Sequence, residues 1–212
     1  MSMDTTEETI APSADRKPHP GRTMTWDEFH DWLDDKTHAE WVEGEVRIMS
    51  PASNPHQILV SVLDTLLTFF VAKRNLGEVR LAPFQVRMGR SSREPDIIFV
   101  AKQNAARIRH AYLDGAPDLA IEILSPSTRN VDRGEKYYEY EEAGVQEYWL
   151  IDPDRQQAVF YRLNPAGSFE PIVPENGIFQ SETLPGLRLK IERLWNAPLA
   201  NLHEIAREMD AI

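Results

Sequence analysis

Two acidic residues lie in or beside apolar runs that would bury them. Pro95-Asp96 opens the run 96–101, and Glu122 lies near the centre of the run 118–124. Both runs are short, rich in β-branched residues and bounded by Pro or Ser-Pro, which predicts strands. Pro95 suits the first residue of a strand, where its missing N–H costs least. A carboxylate in a buried strand is unfavourable unless something positive compensates it. Lys136, twelve residues beyond Leu124, is a candidate for that group. Two acids on neighbouring strands plus a lysine suit metal-assisted phosphodiester cleavage. The acids hold a hard, oxygen-seeking Mg²⁺. The metal polarises the phosphate and activates a water, while the ammonium stabilises the developing negative charge.

The ordered set of Pro95-Asp96, the stretch 122–128, Lys136 and the stretch 144–152 resembles the Uma family of restriction endonucleases, within the PD-(D/E)xK nuclease-like superfamily. The stretches 40–45 and 49–56 belong to the same resemblance, which runs from about Thr25 to Trp195. It implies an α/β restriction-endonuclease-like core, a mixed central sheet flanked by helices. It also implies a metal-dependent DNA endonuclease that hydrolyses phosphodiester bonds. In that mechanism Asp96, Glu122 and the backbone carbonyl of Ile123 bind Mg²⁺ or Mn²⁺, and Lys136 stabilises the transition state or positions the attacking water. Glu40 falls where the family carries an acidic residue near the metal, as an auxiliary ligand or water-orienting base. The other reading of Glu40 is a surface carboxylate, with Glu43 and Glu45 close by.

The superfamily usually carries its lysine two residues after the glutamate, and here that position is Leu124. The resemblance moves the lysine to Lys136 on the following helix. The 125–128 segment reads as a turn, and 133–143 as a helix ended by Gly144. Lys136 and Tyr140 are then i and i+4 on one face. An ordinary solvated helix lysine is the alternative. A second function stays open beside the nuclease: an interaction or regulatory protein that keeps the fold without turnover, in keeping with Leu124 and the acidic charge.

At 212 residues the chain suits one domain with a proper core. The absence of cysteine removes disulfides, thiolate zinc sites and cysteine nucleophiles, and fits the cytoplasm. No basic-then-apolar leader marks a signal peptide. The longest apolar stretch, 58–72, is interrupted by Ser61, Asp64, Thr65 and Thr68, which argues against a membrane span. A net charge of −11 opposes phosphate binding, which Lys and Arg drive. The distribution softens that objection: residues 73–136 carry 12 basic and 8 acidic side chains. Arg87, Arg90, Arg93, Arg107, Arg109, Arg129 and Arg133 are expected either as a basic face toward DNA or as scattered solvated surface. A homodimer is the commonest symmetric arrangement and would offer two sites to a duplex.

The elements that must position these residues follow from pattern. Residues 1–22 are polar, Pro-rich and aperiodic, which predicts a disordered tail. The domain is expected over 23–198, with 199–212 as a terminal helix or tail. Thr25 to Glu28 is a capping box before a short helix. Residues 40–49 predict a hairpin turning at Glu43-Gly44. Residues 55–75 predict a long helix with an apolar face of Leu59, Val62, Leu63, Leu66, Leu67 and Phe70. Strands are expected at 79–88, 97–101, 147–151, 157–163, 169–173 and 186–191, with a turn at Ser91-Ser92, a loop or short helix at 107–113, and a short helix at 191–196. His56 opens the long helix and suits either a phosphate contact or proton shuttle, or a local packing role. The other five histidines form no metal-ligand pattern, and the phosphate-loop, dinucleotide and serine-hydrolase signatures are missing.

Overall fold

The computed structural model describes residues 23–34, 36–196 and 198–212. The expected tail at 1–22 lies outside the described residues. Thr25 caps α1 (Trp26–Trp32): its side chain accepts from the Glu28 N–H while the Glu28 carboxylate accepts from the Thr25 N–H. Strands β1 (Ala39–Val42) and β2 (Glu45–Ile48) form an antiparallel hairpin. Glu43 and Gly44 turn it with φ of 50° and 96°, the positive pair that a two-residue turn of this hand requires. Helix α2 (Asn54–Arg74) is capped by Ser53 and ends at the left-handed Asn75. By length and composition α2 could cross a membrane. Here Leu59, Val62, Leu63, Leu66, Leu67, Phe70 and Val71 bury its apolar face in the core.

Beyond α2 come β3 (Gly77–Leu81), β4 (Gln85–Met88), β5 (Ser91–Arg93), β6 (Ile97–Ala101), β7 (Tyr112–Asp114) and β8 (Leu119–Ile123). Two short helices follow, α3 (Arg129–Arg133) and α4 (Glu135–Ala143). The chain continues through β9 (Glu147–Asp152), β10 (Gln157–Leu163), β11 (Phe169–Ile172), β12 (Ile178–Gln180), β13 (Arg188–Lys190) and α5 (Leu202–Glu208). The main sheet has the order β11-β10-β9-β8-β6-β3 and is mixed, its one parallel pair being β8 with β9. A second sheet, β2-β1-β5-β4-β7, brings the N-terminal hairpin to the same region. The main sheet is covered on both faces. Ile97, Phe99, Ile121 and Trp149 meet α2, whereas Ile98, Val100, Ala120, Leu124 and Leu150 share a cluster with Tyr140 of α4.

Three local expectations are corrected. The strand expected over 79–88 is two strands in different sheets, broken at Ala82-Pro83-Phe84, where Pro83 has no N–H to continue a ladder. Ser91 and Ser92 are in β5, and the turn falls at Gly89-Arg90, with Gly89 at φ 55°. The helix expected over 133–143 starts earlier as α3 and breaks at Gly134, whose φ of −116° and ψ of −93° are not helical.

The β6–β8 register pairs Ile97 with Ile121 and Ile98 with Ala120. Continuing it by one residue sets Asp96 across from Glu122, so the two acids share a face at the end of the pair. The β3–β6 pairing holds β6 from its other side, and Gly77 permits it: a Cβ there would lie 2.1 Å from the Val100 carbonyl oxygen. Gly77→Ala therefore overpacks the backbone itself. The expected penalty is about 1–3 kcal/mol, a melting temperature lower by on the order of 2–12 °C, measurable by calorimetry.

Candidate active site

Asp96, Glu122, Ile123 and Lys136 line one cleft of about 1110 Å³, together with His38, His56, Glu94 and the segments 49–53 and 125–128. Asp96 accepts from the Ile123 N–H at 2.7 Å through Oδ2 and meets His56 Nε2 at 3.0 Å through Oδ1. His56 is thus fixed by the site, and its buried Nδ1 has no partner among the described residues. Its expected alternatives resolve to a contact with Asp96 itself.

Glu122 is 4% exposed, and both its hydrogen bonds fall on Oε1, from Lys136 Nζ at 3.0 Å and Tyr140 OH at 2.8 Å. Lys136 and Tyr140 reach one atom because α4 sets them one turn apart. Lys136 is no solvated helix lysine: it is 2% exposed, and its ammonium also contacts Glu40 Oε1 at 2.9 Å and Asp132 Oδ1 at 3.2 Å. The ammonium thus ion-pairs with three carboxyl groups and hydrogen-bonds Glu122, while Asp132 Oδ1 makes no hydrogen bond among the described residues. Glu40 is buried as well, its Oε2 accepting from Arg93 Nη1 at 2.8 Å. Arg93 is fully buried and extends the network through Nε to Glu139 at 2.7 Å. Glu40 is therefore not a surface carboxylate.

The electrostatics divide the acids. Burial alone would raise the Glu40 carboxyl, but Lys136 and Arg93 override it and hold it at about 2. Glu122 goes the other way: burial drives it well above the usual carboxylate range, Lys136 offsets only part, and Asp132, Asp96 and Glu40 add to the rise. Burial likewise raises Asp132, against Lys136. For Lys136 burial favours loss of the proton, but Glu122, Glu40 and Asp132 outweigh it and hold the ammonium charged well beyond its ordinary range. The cluster thus has more acid than one lysine and one arginine neutralise.

Among the described residues no three His, Asp or Glu side chains gather into a ready metal cage. Mg²⁺ does not need one, since it is commonly held by one or two carboxylates, several waters and substrate phosphate. Asp96 and Glu122 meet that modest requirement; a tetrahedral zinc site would not be met.

Sequence reasoning missed Asp132, Arg93, Glu94 and His38. Asp132 carried a signal, standing one helical turn before Lys136. Arg93 did not, because its partner Glu40 lies 53 residues away. Several of the arginines expected as a basic face or as solvated surface have partners within the chain. Arg93 is buried, Arg129 pairs with Asp152 at 2.9 Å, Arg109 with Asp114 at 3.4 Å, Arg90 with Glu43 at 3.1 Å, and Arg107 binds the Ala116 carbonyl at 3.1 Å. Arg87 lies over the Trp26 ring, and Arg133 is exposed away from the cleft.

The raised Glu122 and Asp132 give a signed prediction. A carboxyl raised on folding contributes stability below its unfolded value near 4.5 and loses it as pH rises through the folded value. Glu122→Gln, which keeps an acceptor for Tyr140 and Lys136, should raise the melting temperature by a few degrees at pH 8 and leave it unchanged near pH 4. Lys136→Met should do the opposite, costing about 3–5 kcal/mol at neutral pH by stranding buried carboxylates. Melting curves of both variants at the two pH values check this.

Comparison with known proteins bears on the family and the fold. A solved structure titled as a "putative nuclease belonging to DUF820" from Anabaena variabilis is similar, with 25% identity and a TM-score of 0.68 over 81% of this chain and 97% of that one. No curated protein matches the chain. The Uma2 family model, described as "Putative restriction endonuclease", matches residues 26–192. With that match covering most of the chain and the fold restriction-endonuclease-like, the chain belongs to the Uma2 family.

Proposed function

We propose that this protein is a Mg²⁺-dependent DNA endonuclease that hydrolyses phosphodiester bonds. One observation carries the reading: Asp96 and Glu122, at the end of the β6–β8 pair, line one cleft next to a buried lysine. Asp96, Glu122 through its Oε2, and the carbonyl of Ile123 would hold the ion. A bound divalent cation supplies charge that polarises the phosphate and makes water a better nucleophile.

The remaining residues act by position. Tyr140 and Lys136 fix Glu122 from the α4 side, His56 fixes Asp96 from the start of α2, and the buried ammonium adds a preorganised positive field beside the reacting phosphate. We assign Glu40 to holding Lys136 and Arg93 rather than to ligation, because both its oxygens are already engaged. The non-catalytic reading draws on one observation, that the Lys136 ammonium is already ion-paired with Glu40, Glu122 and Asp132.

Purified protein should nick or cut DNA with Mg²⁺ or Mn²⁺, and weakly at best with Ca²⁺, whose ligand geometry is looser. Asp96→Ala and Glu122→Ala should abolish cleavage in a gel assay. Tyr140→Phe should only slow it, by about fivefold, since it removes one hydrogen bond of about 1 kcal/mol. Wild-type protein inert on single- and double-stranded DNA with both metals would overturn the reading.

A further inference from the structure

Hydrolysis by this site needs a group to take the proton of the attacking water, and the residues assigned so far leave that role unfilled. The titratable side chains lining the cleft are Asp34, Lys36, His38, His56, Glu94, Asp96, Glu122 and Lys136. Lys36 and Lys136 carry ammonium groups with no lone pair to offer. Asp96 and Glu122 serve the cation. His56 spends Nε2 on Asp96, and its Nδ1 is shut away from solvent. Asp34 ties its own turn, accepting from the Lys36 N–H at 3.1 Å and the Thr37 hydroxyl at 2.6 Å.

His38 differs from all of these. Its Nδ1 hydrogen-bonds Glu94 Oε1 at 2.8 Å, while its side chain is 52% exposed and Glu94 is buried. Nε2 has no partner among the described residues. Glu94 is itself held: its Oε2 accepts from Gln85 Nε2 at 3.0 Å, and Gln85 in turn accepts from the Ser92 hydroxyl at 2.7 Å and donates to the Ala39 carbonyl at 2.9 Å. The backbone of His38 is pinned on the other side, its carbonyl accepting from the Met49 N–H at 2.9 Å. A buried chain of hydrogen bonds therefore aims one imidazole, and the carboxylate at Nδ1 fixes the tautomer that leaves Nε2 an acceptor.

We propose that His38 is the general base of the cleavage and Glu94 its positioning residue. This rests on the nuclease reading above. As the water oxygen forms its bond to phosphorus, one water proton passes to His38 Nε2. The bond from phosphorus to the leaving nucleotide oxygen breaks with its electron pair staying on that oxygen, which takes a proton from solvent. His38 then returns its proton to solvent.

The test compares wild type, His38→Ala, His38→Gln and Glu94→Gln on a labelled oligonucleotide with Mn²⁺. His38→Ala and His38→Gln should cut ~10²–10⁴-fold more slowly, the range of a lost general base, and bind the metal-free oligonucleotide within twofold of wild type. Added imidazole should restore part of the rate to His38→Ala. Glu94→Gln should also be slow, because an amide N–H facing Nδ1 moves the imidazole proton to Nε2, and imidazole should not rescue it. A readout free of turnover is acylation by diethylpyrocarbonate mapped by mass spectrometry: His38 should react, and the metal-free oligonucleotide should protect it. Wild-type rates in both His38 variants would overturn the proposal and leave the nuclease reading standing, as would an unreactive or unprotected His38. A wild type that cuts nothing would remove the nuclease reading and the base with it.

Discussion

Three carboxylates around one buried ammonium constrain the rest of this molecule. Glu40 comes from β1, Glu122 from β8, Asp132 from α3 and Lys136 from α4, so four elements meet at one atom, Lys136 Nζ. Taking such charges out of water is expensive, and only close geometry with further hydrogen bonds compensates it. Those bonds are present: Arg93 braces Glu40, Tyr140 braces Glu122, and Glu139 braces Arg93. The cluster ties the smaller sheet to the larger one through side chains, where no strand pairing joins them.

The same cluster explains why the site suits a cation. Glu40 is held ionised at about 2, whereas burial and neighbouring acids push Glu122 well above the usual carboxylate range. Two carboxyls that touch one lysine are thus driven in opposite directions, Glu40 down and Glu122 up. Four of the seven arginines that looked available for DNA pair with acids within the protein.

Much of this was legible in the sequence because it was local. Glu43-Gly44 announced its hairpin, the apolar spacing of 55–75 announced α2, and Pro95-Asp96 and Glu122 were marked by strands too apolar for them. Lys136 and Tyr140 on one helical face followed from spacing alone. What stayed hidden was long-range and polar. The pairing of Arg93 with Glu40, or of His38 with Glu94 across 56 residues, leaves no periodic trace. Pro83 and Gly134 were each visible, but which of two neighbouring elements they divide depends on sheet membership and on the turn into α4. Ser91 and Ser92 look like a turn until β1 and β4 are there to pair with them.

Asp96 and Glu122 are proposed to form one divalent-cation site. Calorimetric titration of Mn²⁺ into the protein at pH 7 measures the stoichiometry directly. One ion per chain is expected, with loss of the signal in Asp96→Ala. Binding that persists unchanged in Asp96→Ala, or none in wild type at millimolar Mn²⁺, would contradict it.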